Sequence, residues 1–163
     1  MSQLAAQLGV ALQAHGMMLA TAESCTGGGV ASAVTEIAGS SGWFDRGFVT
    51  YSNLAKIDML GVPHDTLARF GAVSEATVRE MVDGALRHSQ AQVALAVSGI
   101  AGPGGGTVEK PVGMVWFAWG IKDGESFTRL HQLAGNRAEI RTQAVRIALQ
   151  GVLELLAHRT EAA

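Results

Sequence analysis

The sequence predicts an α/β fold: a three-layer α/β/α sandwich with a mostly parallel or mixed central sheet and one antiparallel hairpin. Three observations lead there. Amphipathic helical stretches alternate with short apolar runs along the 163 residues. One run, Val93-Ala94-Leu95-Ala96-Val97, is apolar throughout, which suits a strand covered by helices on both faces. Near the end, two strand-like runs flank Lys122-Asp123-Gly124-Glu125, which reads as a hairpin turn.

The elements follow in order. Residues 3–15 place Leu4, Leu8, Ala11 and Leu12 on one helical stripe, and Gly16 is a natural stop. Met17 to Ala22 reads as a buried strand, followed by a polar turn at Glu23-Ser24. A helix is expected from about Gly27 to Ala38, broken by Gly39-Ser40-Ser41-Gly42. Trp43 to Tyr51 favours an extended strand because of Phe48, Val49, Thr50 and Tyr51. Asn53 is expected to cap a short helix over Leu54–Leu60, and Pro63 to start another that ends at Phe70. Ser74 caps a helix over about 75–89 whose apolar stripe is Val78, Met81, Val82, Ala85 and Leu86. The Val93–Val97 strand empties into a glycine-rich loop from Ser98 to Thr107. Strands Met114–Ile121 and Ser126–Leu133 precede a last helix over about 137–158. Ligands of open α/β sheets bind beyond the carboxyl ends of the strands. Parallel strands would therefore gather the loops at Ser24, Ser52 and Ser98 on one edge.

Composition narrows the function. The length suits a single domain over 1–163, and a hydrophobic fraction of 48% supplies a core. A net charge of -2 argues against non-specific nucleic-acid binding. No apolar run reaches the roughly 20 residues of a membrane span, and no signal-peptide pattern opens the chain. The single cysteine can form neither an internal disulfide nor a thiolate metal cage. A cytoplasmic protein with no metal and no cofactor is the expectation.

Chemistry concentrates at Ala20–Gly29, where Ser24 and Cys25 stand side by side before a glycine-rich helix start. Backbone N–H groups there suit an anion or an oxyanion. Ser24 reads as a nucleophile or simply as a helix cap, and Thr26 is an equally good cap. Cys25 reads as a rival nucleophile or a small buried hydrophobe. Lys56 reads as a surface charge or as a base, its pKa lowered by desolvation and by its place in a first helical turn. Tyr51 reads as its companion or as a strand aromatic. Arg137 and Arg141 share one face at the start of the last helix, where positive charge is disfavoured. Asp45, Glu139 or a bound phosphate would compensate. The 99–106 loop has no Walker lysine and no dinucleotide fingerprint, and Lys110 beyond it reads as an anion ligand or a surface charge.

Five segments together resemble the CinA family, in its stand-alone C-terminal-domain form. They are Thr21-Ala22-Glu23-Ser24-Cys25-Thr26-Gly27-Gly28, Gly47-Phe48-Val49-Thr50-Tyr51-Ser52-Asn53 with Lys56 after it, Gly71-Ala72-Val73-Ser74, Ser98-Gly99-Ile100-Ala101-Gly102-Pro103 and Lys110-Pro111-Val112-Gly113. The resemblance implies hydrolysis of the carboxamide of nicotinamide mononucleotide to nicotinate mononucleotide and ammonia, within pyridine nucleotide recycling. It implies a Ser-Lys amidase, a homodimer and no metal. It places the nucleophile on Ser24 and the base on Lys56, with Tyr51 beside it. The substrate positions it implies are Thr26, Gly27, Gly28, Asn53, Ser98, Gly99, Gly102, Gly105, Thr107, Arg137 and Arg141. Gly29 stands where the family pattern has a bulkier residue, and Gly104-Gly105-Gly106 is unusually rich in glycine. The alternatives are a non-catalytic nucleotide-binding or damage-response interaction module and a hydrolase built on Cys25.

Overall fold

The computed structural model describes residues 1–162. In chain order the elements are α1 (Ser2–Ala14), β1 (Leu19–Glu23), α2 (Gly29–Thr35), β2 (Phe44–Val49), α3 (Asn53–Leu60), α4 (His64–Phe70), α5 (Glu75–Arg87), β3 (Val93–Gly99), β4 (Met114–Ile121), β5 (Ser126–Gln132) and α6 (Arg137–Ala162). The sheet order is β2-β1-β3-β4-β5. β2, β1 and β3 run parallel, and β4 and β5 complete the sheet antiparallel, so the mixed sheet and its hairpin are as expected.

Alternation along the strands divides the layers. Leu19 of β1, Val93, Leu95 and Val97 of β3, and Val115, Phe117 and Trp119 of β4 pack under α1, α2 and α6. Between them, Ala20, Ala22, Ala94, Ala96 and Ala118 face the side of the sheet covered by α5. Large residues fill one face, and methyl groups let α5 sit close on the other. The Val93–Val97 run is apolar throughout because both faces are covered.

Two glycines are dictated by packing. A Cβ on Gly84 of α5 would lie 2.0 Å from the Leu60 carbonyl oxygen. A Cβ on Gly151 of α6 would lie 2.0 Å from Trp119 Cε2. Trp119 is fully buried, and its indole N–H donates to the Ala148 carbonyl at 2.8 Å, so the ring cannot swing away without losing that bond.

Several boundaries differ from expectation for local reasons. Asn53 is not the cap of α3: Ser52 is, its Oγ accepting from the Ala55 N–H at 3.0 Å, which makes Lys56 the fourth helical residue instead of the third. α2 starts at Gly29 instead of Gly27 because Gly27 (φ 56°) and Gly28 (φ 98°) are left-handed and form a turn. β1 is displaced towards the carboxyl end, taking in Glu23 and leaving out Met17 and Met18. Gly29 has no bulkier residue because a Cβ there would already lie 3.0 Å from Val145 Cγ2 of α6.

The register positions the site. Glu23 ends β1 level with Val49 of β2 on one side and Val97 of β3 on the other. Ser24, Thr50 and Ser98 therefore emerge side by side. Two bonds fix that level, Thr50 N–H to Glu23 O at 2.8 Å and Ser24 N–H to Val97 O at 3.0 Å. β5 runs the same way, so α6 also begins at this edge.

Replacing Gly151 with Ala is expected to cost about 1–3 kcal/mol through overpacking against Trp119. Gly104→Ala, where a Cβ meets nothing within 4 Å, is expected to stay within about 0.5 kcal/mol. Urea unfolding midpoints of the two variants measure the difference.

Candidate active site

Lys56 sits on the first turn of α3 with only 1% of its surface exposed. A long cation is almost never buried this far without a use or a partner. Its Nζ lies 3.0 Å from Ser24 Oγ, and it donates to the Thr50 carbonyl at 2.8 Å. The Tyr51 carbonyl stands further off at 3.5 Å. No carboxylate pairs with it among the described residues. Burial, by penalising the ammonium, lowers its pKa to about 8. Near neutrality an appreciable fraction is therefore free amine. With its N–H groups aimed at carbonyl oxygens, that amine can turn its lone pair to the Ser24 hydroxyl.

Ser24 and Lys56 share the wall of a cleft of about 240 Å³ with Cys25, Tyr51, Ser98, Gly99 and Arg137. Ala72, Val73 and Ala101 complete it with apolar surface. Gly99 owes its place to crowding: a Cβ there would lie 2.6 Å from Val115 Cγ2 and 2.9 Å from the Met114 carbonyl oxygen. Tyr51 is 61% exposed at the mouth, and its hydroxyl accepts from Arg137 Nη2 at 3.2 Å, so its link to Lys56 runs through its backbone carbonyl. Arg137 also donates to the Gly102 carbonyl at 2.7 Å. Arg141 turns elsewhere: its Nε donates to Cys25 O at 3.1 Å and its Nη2 to Thr26 O at 3.2 Å.

Other expected site residues are less central. Asn53 is exposed at the start of α3, and Gly105 and Thr107 lie on the exposed part of the loop after β3, where the Thr107 Oγ1 accepts from the Lys110 N–H. Lys110 donates to the Phe70 carbonyl at 2.6 Å, closing the carboxyl end of α4. Neither Asp45 nor Glu139 compensates the arginines. Asp45 pairs with Arg46 at 2.7 Å, and Glu139 accepts from the Asn136 N–H at 3.0 Å as half of a capping box. Carbonyl oxygens and one phenol do that work instead.

The CinA C-terminal domain family model matches residues 1–156. The chain belongs to the CinA C-terminal domain family. It is 57% identical over 148 residues to the nicotinamide-nucleotide amidohydrolase PncC of Escherichia coli K12, covering 91% of this chain and 90% of that one. It is 50% identical over 153 residues to PncC of Pseudomonas putida, covering 93% and 94%. The solved structure of the competence/damage-inducible protein CihA from Agrobacterium tumefaciens superposes with a TM-score of 0.92 at 50% identity, covering 94% of each chain.

In this CinA domain one feature of the turn at Ser24 escaped the sequence reading, and a second decides between two readings of it. The first is Glu23, fully buried at the end of β1. Its carboxylate accepts from the Thr26 hydroxyl, from the Val30 N–H at 2.8 Å and from the Ala31 N–H at 3.1 Å. It thus caps α2 from seven residues upstream, and Thr26 supports it instead of capping the helix itself. Glu23 directly precedes Ser24 in a motif the sequence exposes, but nothing local says that its side chain folds under the turn. The second is Cys25. Its thiol is buried and its pKa is raised to about 11, chiefly by desolvation, so at neutral pH it stays protonated beside Ser24. None of the five histidines lines the cleft to activate it.

Glu23→Gln puts an amide N–H₂ where an N–H donor needs an acceptor. The expected cost is about 1–3 kcal/mol of stability, read from chemical unfolding. An unchanged midpoint would remove Glu23 from its place as the cap of α2.

Proposed function

We propose that this CinA domain hydrolyses the carboxamide of nicotinamide mononucleotide to nicotinate mononucleotide and ammonia, with Ser24 as nucleophile and Lys56 as base. The observation that carries this reading is a buried amine 3.0 Å from a serine hydroxyl, with a pKa lowered to about 8. The amidohydrolase names of relatives that match the chain nearly end to end supply the substrate.

The chemistry balances with these groups. Ser24 Oγ attacks the carboxamide carbon while Lys56 Nζ takes the hydroxyl proton. The carbonyl electrons move onto oxygen, and backbone N–H groups of the turn donate hydrogen bonds to it. Collapse of the intermediate breaks the C–N bond, and the Lys56 ammonium returns its proton to the departing ammonia. A water molecule, deprotonated by the same amine, then attacks the ester on Ser24; the bond from the acyl carbon to Ser24 Oγ breaks, the Lys56 ammonium returns the proton to Oγ, and nicotinate mononucleotide leaves. Arg137, at the mouth of the cleft, is the cation placed for the substrate phosphate. Serving pyridine nucleotide recycling would follow from such a product.

Ser24→Ala should lower ammonia release from nicotinamide mononucleotide by at least about 10³-fold, because the step has no other nucleophile, while thermal unfolding changes little. Full activity in Ser24→Ala with loss in Cys25→Ala would move the role to the thiol. The pH profile tests the base. Protonated Lys56 has no lone pair, so kcat/KM should fall about tenfold per unit below pH 8 and level off above it. A flat profile from pH 6 to 9 would reject lysine as the base.

A further inference from the structure

We infer that Arg141 is a positioning residue for the oxyanion hole, acting through the Cys25–Thr26 peptide, and that it is not a ligand of the substrate phosphate. The inference rests on the hydrolytic reading of the site and assigns the source of its oxyanion donors.

The turn after Ser24 disposes of its polar groups in a particular way. The Gly27 N–H donates to Ser24 O at 3.0 Å, and the Gly29 N–H to Thr26 O at 2.9 Å. The Val30 and Ala31 N–H groups are spent on Glu23. The start of α2 therefore has little left to offer an anion. Within the turn, the N–H groups of Thr26 and Gly28 find no acceptor among the described residues, and that of Cys25 is turned towards its own thiol. Those of Cys25 and Thr26 immediately follow the nucleophile, where a developing oxyanion on an acyl carbon bonded to Ser24 Oγ would need them.

Both of these N–H groups belong to peptides whose carbonyl oxygens are already held. Ser24 O is held by Gly27, and Cys25 O by Arg141 Nε at 3.1 Å. In a planar trans peptide the N–H points opposite to the C=O. A guanidinium fixed on Cys25 O therefore aims the Thr26 N–H away from α6, and its charge polarises that amide towards a stronger donor. Arg141 Nη2 on Thr26 O pins the next peptide as well, which leaves the fork engaged on both sides. Gly27 leaves room for it: a Cβ there would lie 3.3 Å from Arg141 Nη2. The two arginines thus divide the work. Arg137 lines the cleft, whereas Arg141 does not.

The test separates positioning from phosphate binding by using a substrate with no phosphate. Arg141→Gln and Arg141→Lys are assayed on nicotinamide mononucleotide and on nicotinamide riboside. Positioning predicts that kcat on the mononucleotide falls about 10–100-fold in Arg141→Gln with KM within about twofold, and that kcat/KM on the riboside falls by the same factor. Lysine, a point charge that cannot fork across two carbonyls, should restore only part of the loss. A rise in KM confined to the mononucleotide, with kcat kept, would overturn the inference and make Arg141 a phosphate ligand. Phosphonylation of Ser24 by an alkyl fluorophosphonate covers failure of the substrate assignment. Ser24 Oγ attacks phosphorus, fluoride leaves, Lys56 takes the proton, and the phosphoryl oxygen occupies the oxyanion site. If the wild-type chain releases no ammonia but is labelled, the amidase reading fails, and slower labelling of Arg141→Gln still upholds positioning. Equal labelling rates would overturn it, and so would a wild-type Ser24 that is not labelled at all.

Discussion

A lysine amine closed off from water, with a serine hydroxyl and backbone carbonyls for neighbours, is the contact on which the proposed chemistry depends. Burying an ammonium is costly, and among the described residues no carboxylate offsets the cost. The amine responds by releasing its proton more readily, to a pKa of about 8. That response requires a scaffold that does not relax and keeps water from the amine, which the Thr50 carbonyl at 2.8 Å holds beside Ser24. Were the edge of the sheet to open by a water molecule, the ammonium would be solvated and its pKa would return towards its ordinary value.

The sheet provides that scaffold through register. Glu23 of β1, Val49 of β2 and Val97 of β3 stand level, so Ser24, Thr50 and Ser98 follow as neighbours. The helices above and below add rigidity by opposite means. One face is filled with large residues centred on Phe117 and Trp119, the other with alanines that admit α5 closely. α3 then only has to begin within one turn of Thr50 to bring Lys56 back over the strand ends. Ser52 does this by capping the helix, so a single hydroxyl helps set where Lys56 sits.

Much of this was legible in the residues. The helical stripes, the apolar Val93–Val97 run of β3 and the hairpin at Asp123-Gly124 follow from periodicity and turn chemistry, which are local. The motif around Ser24 and the lysine after Asn53 were also legible, as a pair of residues without a shared address. Invisible was anything that depends on which group faces which across the sheet. Ser52 and Asn53 are both good caps, and sequence cannot choose between them. Glu23 reads as a turn residue because its acceptors lie under the turn. Asp45 and Glu139 seemed natural partners for the arginines on charge alone, yet each is engaged closer to home.

The glycine-rich start of α2 shows why such a segment should be weighed group by group. A helix N-terminus behind a polar turn suggests an anion site, and phosphate is the usual guest. Here the buried carboxylate of Glu23 already occupies the first-turn N–H groups and answers the helix dipole. A second anion would meet repulsion from Glu23 and few free donors. The donors that remain belong to the turn itself, beside Ser24. They suit an oxygen that becomes negative only during reaction better than a phosphate that is always charged. Under the proposed hydrolysis, the permanent anion of a mononucleotide is thereby directed to the mouth of the cleft, where Arg137 stands, and the interior is kept for charge that comes and goes with the reaction.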